Sequence, residues 1–205
     1  YLWLFFALWT LRYKTIAVLL EPFAIKSWTY KFVKKYNFLF YCIVTHDEDS
    51  YFYHGDKSIF LPIAAPTVMP EKLKITNRKK LCTYLYNYRK EMTEGHRIRR
   101  KFADIASNFD HKCQIFNTKF GFNKSEFLFD TYFAIIIQNS RKDWYFSDQI
   151  LDCFACGVVP IYYGSKGYKK FFDERGVIEI NDLNDLQTTL SKLSNIDYFE
   201  KIDSI

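Results

Sequence analysis

"YFAIIIQNSRKDWYFSDQILDCFACGVVPIYYGS", residues 132–165, sets two apolar runs on either side of a polar, aromatic loop and a short amphipathic stretch. The runs Tyr132 to Ile137 and Val158 to Tyr163 read as buried strands. Between them, Ser147 suits a helix N-cap, and Asp148 and Gln149 fall in the first turn. Ile150, Leu151, Phe154 and Ala155 make an apolar face, and Gly157 suits the C′ position. Strand, loop, helix, strand is the unit of a parallel α/β sheet, whose ligands bind beyond the C-terminal strand ends. The segment Asn139 to Phe146 is then such a loop. The helix start behind it offers unpaired N–H groups to a phosphate, and the Asp148 carboxylate can accept hydrogen bonds from a ribose diol. On spacing alone, Asp148 serves equally well by complementing the helix dipole.

The rest of the chain repeats the pattern. "KTIAVLLEP" reads as a fully buried strand ending at Glu21-Pro22, Ser27 to Tyr36 as a helix, and Phe38 to Thr45 as a second strand. "HDEDSYFYHGDK" reads as a solvated loop, and its His46, Asp47, Asp49, His54 and Asp56 fit no metal-ligand spacing. A strand in "SIFLPIAAP" then leads to a connector marked by Pro62, Pro66 and Pro70. Beyond it come "KKLCTYLYN" (strand), "EGHRIRRKFADIAS" (basic helix), "CQIFNT" (strand) and "GVIEIND" (strand). In a last helix Leu183, Leu186, Leu190 and Leu193 share one face, with Asp182 or Asn184 as its cap. This alternation indicates an α/β fold with parallel sheets.

With 205 residues, 49% of them apolar and 25% charged, the chain is globular rather than disordered. The net charge of +6 is uneven, with eleven basic and three acidic residues between Glu71 and Lys101. That segment suits an anionic partner or a solvated helix face. Five cysteines, an odd number lying mostly in apolar runs, indicate reduced thiols in a cytoplasmic protein rather than a disulfide framework. The Cys153-x-x-Cys156 pair leaves zinc or redox chemistry as a lesser alternative. The same cysteine usage argues against a secretory setting for the sequon at Asn123. "YLWLFFALW", residues 1–9, is too short to span a bilayer and lacks a basic leader and cleavage site. It reads as a buried helix, with a peripheral membrane contact as the alternative.

The segment from Phe133 to Ser165 resembles the signature of the α-1,3-fucosyltransferase family, approximately Phe-Glu-Asn-Ser, Tyr-x-Thr-Glu-Lys, a helix, then Gly-x-Val-Pro. "RRKFADIAS" is similar to the family's Arg-x-Phe helix. "VIEINDLNDLQTTLSKL" is similar to its closing strand, acidic pair and helix, and "VLLEP" to its strand ending in a functional glutamate. Residues 80–200 carry most of the likeness.

The resemblance implies a GT-B glycosyltransferase with two facing Rossmann-like lobes, 1–70 on the acceptor side and short, and 71–205 binding the nucleotide sugar. It implies inverting transfer of fucose from GDP-fucose to a glycan acceptor, with no metal, no cofactor beyond the nucleotide-sugar donor and no nucleic-acid partner. Glu21 takes the place of the general base, Arg100 of the diphosphate arginine, and Asp148 of the ribose-binding glutamate, while Asn139, Tyr145, Ser147 and Gln149 line the donor site. Three departures stand out. Gln149 replaces a diphosphate lysine, for which Arg97, Arg99 or Lys142 would have to substitute; Gln138 replaces the glutamate before Asn-Ser; and Ser147 and Asp148 are shortened versions of threonine and glutamate. The alternatives are an exostosin-like GT-B transferase using another nucleotide sugar, a catalytically silent relative, and a nucleic-acid-binding module built on the basic segment.

Overall fold

The computed structural model describes residues 13–62, 64–68, 78–86, 94–117, 128–142 and 144–205, without the side chains of 94, 95 and 117. The apolar segment 1–9, the sequon and most of the basic segment's loops lie outside the described residues.

A small sheet has the order β1-β2-β3, from β1 (Ile16–Leu19), β2 (Cys42–Thr45) and β3 (Ser58–Phe60), parallel throughout. The connections run through α1 (Phe23–Lys35) and α2 (Glu48–His54). Both crossovers step in the same direction, so the right-handed rule puts both helices on one face. There Ala17, Leu19, Tyr30, Val33, Leu39, Phe40 and Ile43 form a core.

Two expectations change in this sheet. Lys14 to Pro22 is not fully buried: Ala17 and Leu19 face the helices, whereas Ile16 and Val18 are more than half exposed, as is Ile59 on β3. Helices cover only one face of these strands among the described residues, so alternate side chains stay bare. The expected loop after β2 is mostly helix. The Asp47 side chain accepts from Ser50 N–H at 2.9 Å as its N-cap, and Glu48 and Asp49 complement its first turn. Gly55, at φ 54°, ends it.

The larger sheet has the order β5-β4-β6-β7-β8, also parallel. Its strands are β4 (Lys80–Tyr86), β5 (Cys113–Asn117), β6 (Thr131–Ile137), β7 (Val159–Tyr163) and β8 (Ile178–Glu179). From β4 the chain steps outward through α3 (Glu94–Ser107) to β5. From β6 it steps the other way through α4 (Asp148–Ala155) to β7. Right-handed crossovers in opposite directions place α3 and α4 on opposite faces. Side-chain alternation along β6 agrees: Phe133, Ile135 and Ile137 pack with Phe102 and Ala106 of α3, while Ala134 and Ile136 pack with Ile150 and Cys153 of α4. The α3 face is completed by α5 (Leu183–Lys192) through Leu186 and Leu190, and by Tyr198 of α6 (Asn195–Phe199).

The helix ends are tied down. Asp182 caps α5 by accepting from Asp185 N–H at 2.8 Å, and Lys112 Nζ donates to the carbonyls of Leu190, Ser191 and Leu193 at its other end. α4 starts at Ser147 and closes through Gly157 at φ 60°, where Arg78 donates to the carbonyls of Cys156 and Gly157 at 2.9 and 2.7 Å. The connector joins in: buried Asp152 of α4 accepts from Thr67 N–H (2.5 Å), Thr67 Oγ1 (2.8 Å) and Val68 N–H (3.1 Å). All five cysteines are free and buried. Burial pushes the Cys153 thiol up and the Cys156 thiol to about 12, which disfavours the free thiolate at both. No helix among the described residues is long and apolar enough to cross a membrane.

Candidate donor and acceptor cleft

In the larger sheet the strand order reverses direction between β4 and β6, and a doubly wound sheet leaves a crevice there, beyond its carboxyl ends. The second turn of α3 and the first turn of α4 flank that crevice and supply Arg99 and Asp148. A cavity of about 10 Å³ between Leu85, Ile137, Arg99 and Gln149 marks its floor, room for a single water.

Arg99 brings a half-buried cation to the crevice. Its Nε donates to the Ile137 carbonyl at 2.9 Å, at the very end of β6, and Nη2 reaches the same oxygen. Burial pulls its guanidinium below the ordinary value, while Tyr84, Tyr145 and the Asp148 carboxylate act the other way. Arg100, the arginine named by the family likeness, is exposed one residue further on. Arg99 was legible in principle, because it shares the helical face of Phe102, Ala103 and Ala106 at i+3, i+4 and i+7.

Asn139, Tyr145, Ser147, Asp148 and Gln149 come together on the loop and first turn after β6. Tyr145 is buried, with its carbonyl held by the Ser165 hydroxyl at 2.8 Å. Burial and then the Glu21 charge push its phenol up to about 12; the Arg99 cation and a hydrogen bond from the Asn139 side chain oppose them. Ser147 Oγ accepts from Gln149 N–H at 3.3 Å. Buried atoms without a partner cluster here: both side-chain polar atoms of Gln138, Oδ1 of Asn139 and the hydroxyl of Tyr162. Unpaired buried polar groups are rare, and together they leave hydrogen-bonding capacity for a ligand.

The small sheet supplies the opposite wall. Glu21 lies two residues past β1, and its charge is felt at both Tyr30 and Tyr145. His46 follows β2; its ring lies 5.3 Å from that of Tyr145, and its buried Nε2 has no partner. Lys142 reaches across to Asp47 (3.4 Å) and to Asp49. Trp144 packs edge-on against Phe60 at 4.6 Å and against Tyr51 at 5.6 Å, with Lys170 above its ring. Its backbone sits at φ 68°, costing about 1–2 kcal/mol for a residue with a Cβ. The contacts of the ring hold it there. His46 and Trp144 carry no motif, and their roles follow only from the two sheets facing each other.

Among the described residues no group of three or more His, Cys, Asp or Glu could hold a metal ion. The basic segment is partly committed: Arg78 and Arg99 bind backbone carbonyls, and Lys80 pairs with Asp130 at 2.9 Å.

Against solved structures, an α1,3-fucosyltransferase with GDP matches at TM-score 0.63 over 92% of this chain, with 16% identity. The chain has the α1,3-fucosyltransferase fold. A structure of an α1,3-fucosyltransferase with GDP-fucose gives 0.62 at 16% identity over 92% of the chain, and a further α1,3-fucosyltransferase gives 0.58 at 13% over 80%. The chain covers 65% of the GDP and GDP-fucose structures and 59% of the third, so it spans less than two thirds of this fold as it occurs in them. Among curated proteins, the alpha-(1,3)-fucosyltransferase FucT of Helicobacter pylori is 26% identical over 68 residues, 33% of this chain and 14% of that protein. No protein-family model matches the sequence. The two parallel sheets with the fucosyltransferase fold bear out the expected GT-B class.

Proposed function

We propose that the chain is a distant member of the α-1,3-fucosyltransferase family, moving fucose from GDP-fucose to a hydroxyl of a glycan acceptor with inversion. Its two lobes divide near residue 70, the larger holding the donor. The observation that carries this reading is the crevice at the β4–β6 reversal, where Arg99, Tyr145 and Asp148 converge opposite Glu21. Asp148 and Asn139 take the ribose and the adjoining donor groups, and the N–H groups at the start of α4 take the diphosphate, with Ser147 and Gln149 at the same helix end. The arginines of α3 neutralise the leaving group, Arg99 from within the crevice and Arg100 from its rim.

Glu21 accepts the proton of the acceptor hydroxyl as that oxygen attacks C1 of the sugar. The new C1–O bond forms while the bond from C1 to the β-phosphate oxygen breaks, and its electron pair leaves on GDP. General-base assistance contributes about 10²–10⁴-fold. Cations and N–H donors fixed at the leaving phosphate stabilise the charge that develops there. Arg99 supplies the fixed positive charge that Gln149 does not.

Gln149 also favours a second reading, a catalytically silent relative that binds nucleotide without turnover. Incubation with GDP-fucose and a mixed glycan panel separates the two. Release of GDP coupled to fucosylated product, lost in Glu21→Gln, is the expected result. GDP binding with no hydrolysis or transfer, from this or any other nucleotide sugar, would select the silent relative.

A further inference from the structure

A second cavity, of about 420 Å³, opens between α1 and α2 on the same side as Glu21. It shares a residue with the cleft: Tyr30 lines the cavity and donates its hydroxyl to the Glu21 carbonyl at 2.8 Å. Its size lies in the range of small-molecule sites, about 300–1,000 Å³. Phe23, Tyr30 and Tyr53 give it aromatic walls, with Phe23 and Tyr30 edge-to-face at 5.5 Å. Such rings suit the apolar faces of a pyranose. His54 also lines the cavity; its side chain is 7% exposed, and Nδ1 has no partner. An orphaned buried nitrogen beside a cavity of this size calls for a hydroxyl or other polar group from a ligand.

The lining sets Lys31, Lys34 and Lys142 against Asp47 and Asp49, a net charge of +1. Lys142 is taken up by Asp47 and Asp49. Lys31 and Lys34, one helical turn apart on α1, form no ion pair among the described residues, and Lys34 Nζ rests 4.2 Å over the Tyr53 ring. The field is felt at His54, whose imidazole is held below its ordinary value by burial and then by Lys34 and Lys57.

We propose that this cavity holds the acceptor sugar and that the unit it takes carries an anionic group, a carboxylate or a phosphate, met by Lys31 and Lys34. The inference rests on the reading of Glu21 as the base of a sugar transfer, which it extends to the acceptor's chemical class. The sugar stacks on Tyr53 and Phe23, its hydroxyls meet Asp47 and His54, and its charge lies toward the two lysines.

Calorimetric and saturation-transfer NMR titrations of the GDP-saturated protein test this with methyl β-glucoside, methyl β-glucuronide and glucose 6-phosphate. At least one anionic probe should bind about fivefold or more tightly than the neutral glycoside. The advantage should disappear in Lys31→Gln/Lys34→Gln and fall in 0.5 M salt, and Lys34→Glu alone should favour the neutral probe. Comparing the two anionic probes separates carboxylate from phosphate. An unchanged melting temperature and far-UV circular dichroism spectrum check that the variants fold. Equal binding of the neutral probe, an advantage that survives both substitutions, or no binding of any probe overturns the proposal. GDP failing to bind while the anionic preference holds would refute the fucosyltransferase reading and leave the anionic sugar site standing.

Discussion

Removing the Asp152 carboxylate should cost more than most single substitutions in this chain. Asp152 is 2% exposed and accepts three hydrogen bonds from the connector, two from Thr67 and one from Val68 N–H. In Asp152→Ala the buried Val68 N–H loses its partner, at about 1–3 kcal/mol, while Thr67 is exposed enough for water to replace part of its share. The total is about 3 kcal/mol. Asp152→Asn is a sharper probe: its amide oxygen can accept from both backbone N–H groups, and its Nδ2 can donate to Thr67 Oγ1 once that hydroxyl turns. It forfeits mainly the charge assistance, about 1 kcal/mol. For a chain of this length each kcal/mol moves Tm by about 2–4 °C, so the Ala variant should melt roughly 6–12 °C lower and the Asn variant about a third as far. Differential scanning calorimetry and urea unfolding followed by circular dichroism measure both. Equal losses in the two variants, or less than about 1 °C in Asp152→Ala, would refute this role for the carboxylate.

Arg99→Met should weaken GDP binding by about 10–100-fold in calorimetry, with a smaller loss of stability from the unpaired Ile137 carbonyl; unchanged affinity would remove Arg99 from the crevice. Trp144→Ala should destabilise by about 2 kcal/mol through its lost aromatic contacts, and Trp144→Gly by about 1 kcal/mol less, because glycine accepts φ 68° without strain. Matching urea midpoints for the two would contradict the strain. Burial holds His46 below its ordinary value against the opposing pull of Asp47, and burial with two lysines does the same for His54. The unfolded chain therefore takes up protons first, so their contribution is fully present above about pH 6.5 and is lost as pH falls below it. Tm between pH 7.5 and 5.5 should accordingly drop less steeply in His46→Asn/His54→Asn than in the parent, and parallel profiles would refute the assignment.

Much of the larger sheet is legible in the sequence because local chemistry and tertiary packing agree there. Ser147 and Gly157 bracket α4 as their cap chemistry predicts, and Leu186 and Leu190 bury the face that periodicity assigns them. The small sheet is read less well. The polar residues after β2 suggest a loop, yet Asp47 with Glu48 and Asp49 is itself a helix-start pattern, masked by the density of polar residues around it. The run Lys14 to Pro22 is apolar enough for two covered faces, and a strand's own residues do not say whether anything covers its second face. Within the site, neighbouring arginines on α3 differ by about 100° around the helix, so the motif points to Arg100 while the buried face selects Arg99. Contacts such as His46 with Tyr145 depend on how two sheets meet, which no local pattern encodes.

The most direct test is a thermal-shift titration with GDP, UDP and ADP on the parent chain and on Asp148→Ala. A nucleotide that binds only the folded chain adds about 2.7 kcal/mol at a hundred times its Kd, or roughly 5–11 °C here. Stabilisation by GDP above UDP and ADP, largely lost in Asp148→Ala, is the predicted result. No shift with any nucleotide, or a GDP shift that Asp148→Ala leaves intact, would contradict the placement of the donor at the β4–β6 crevice.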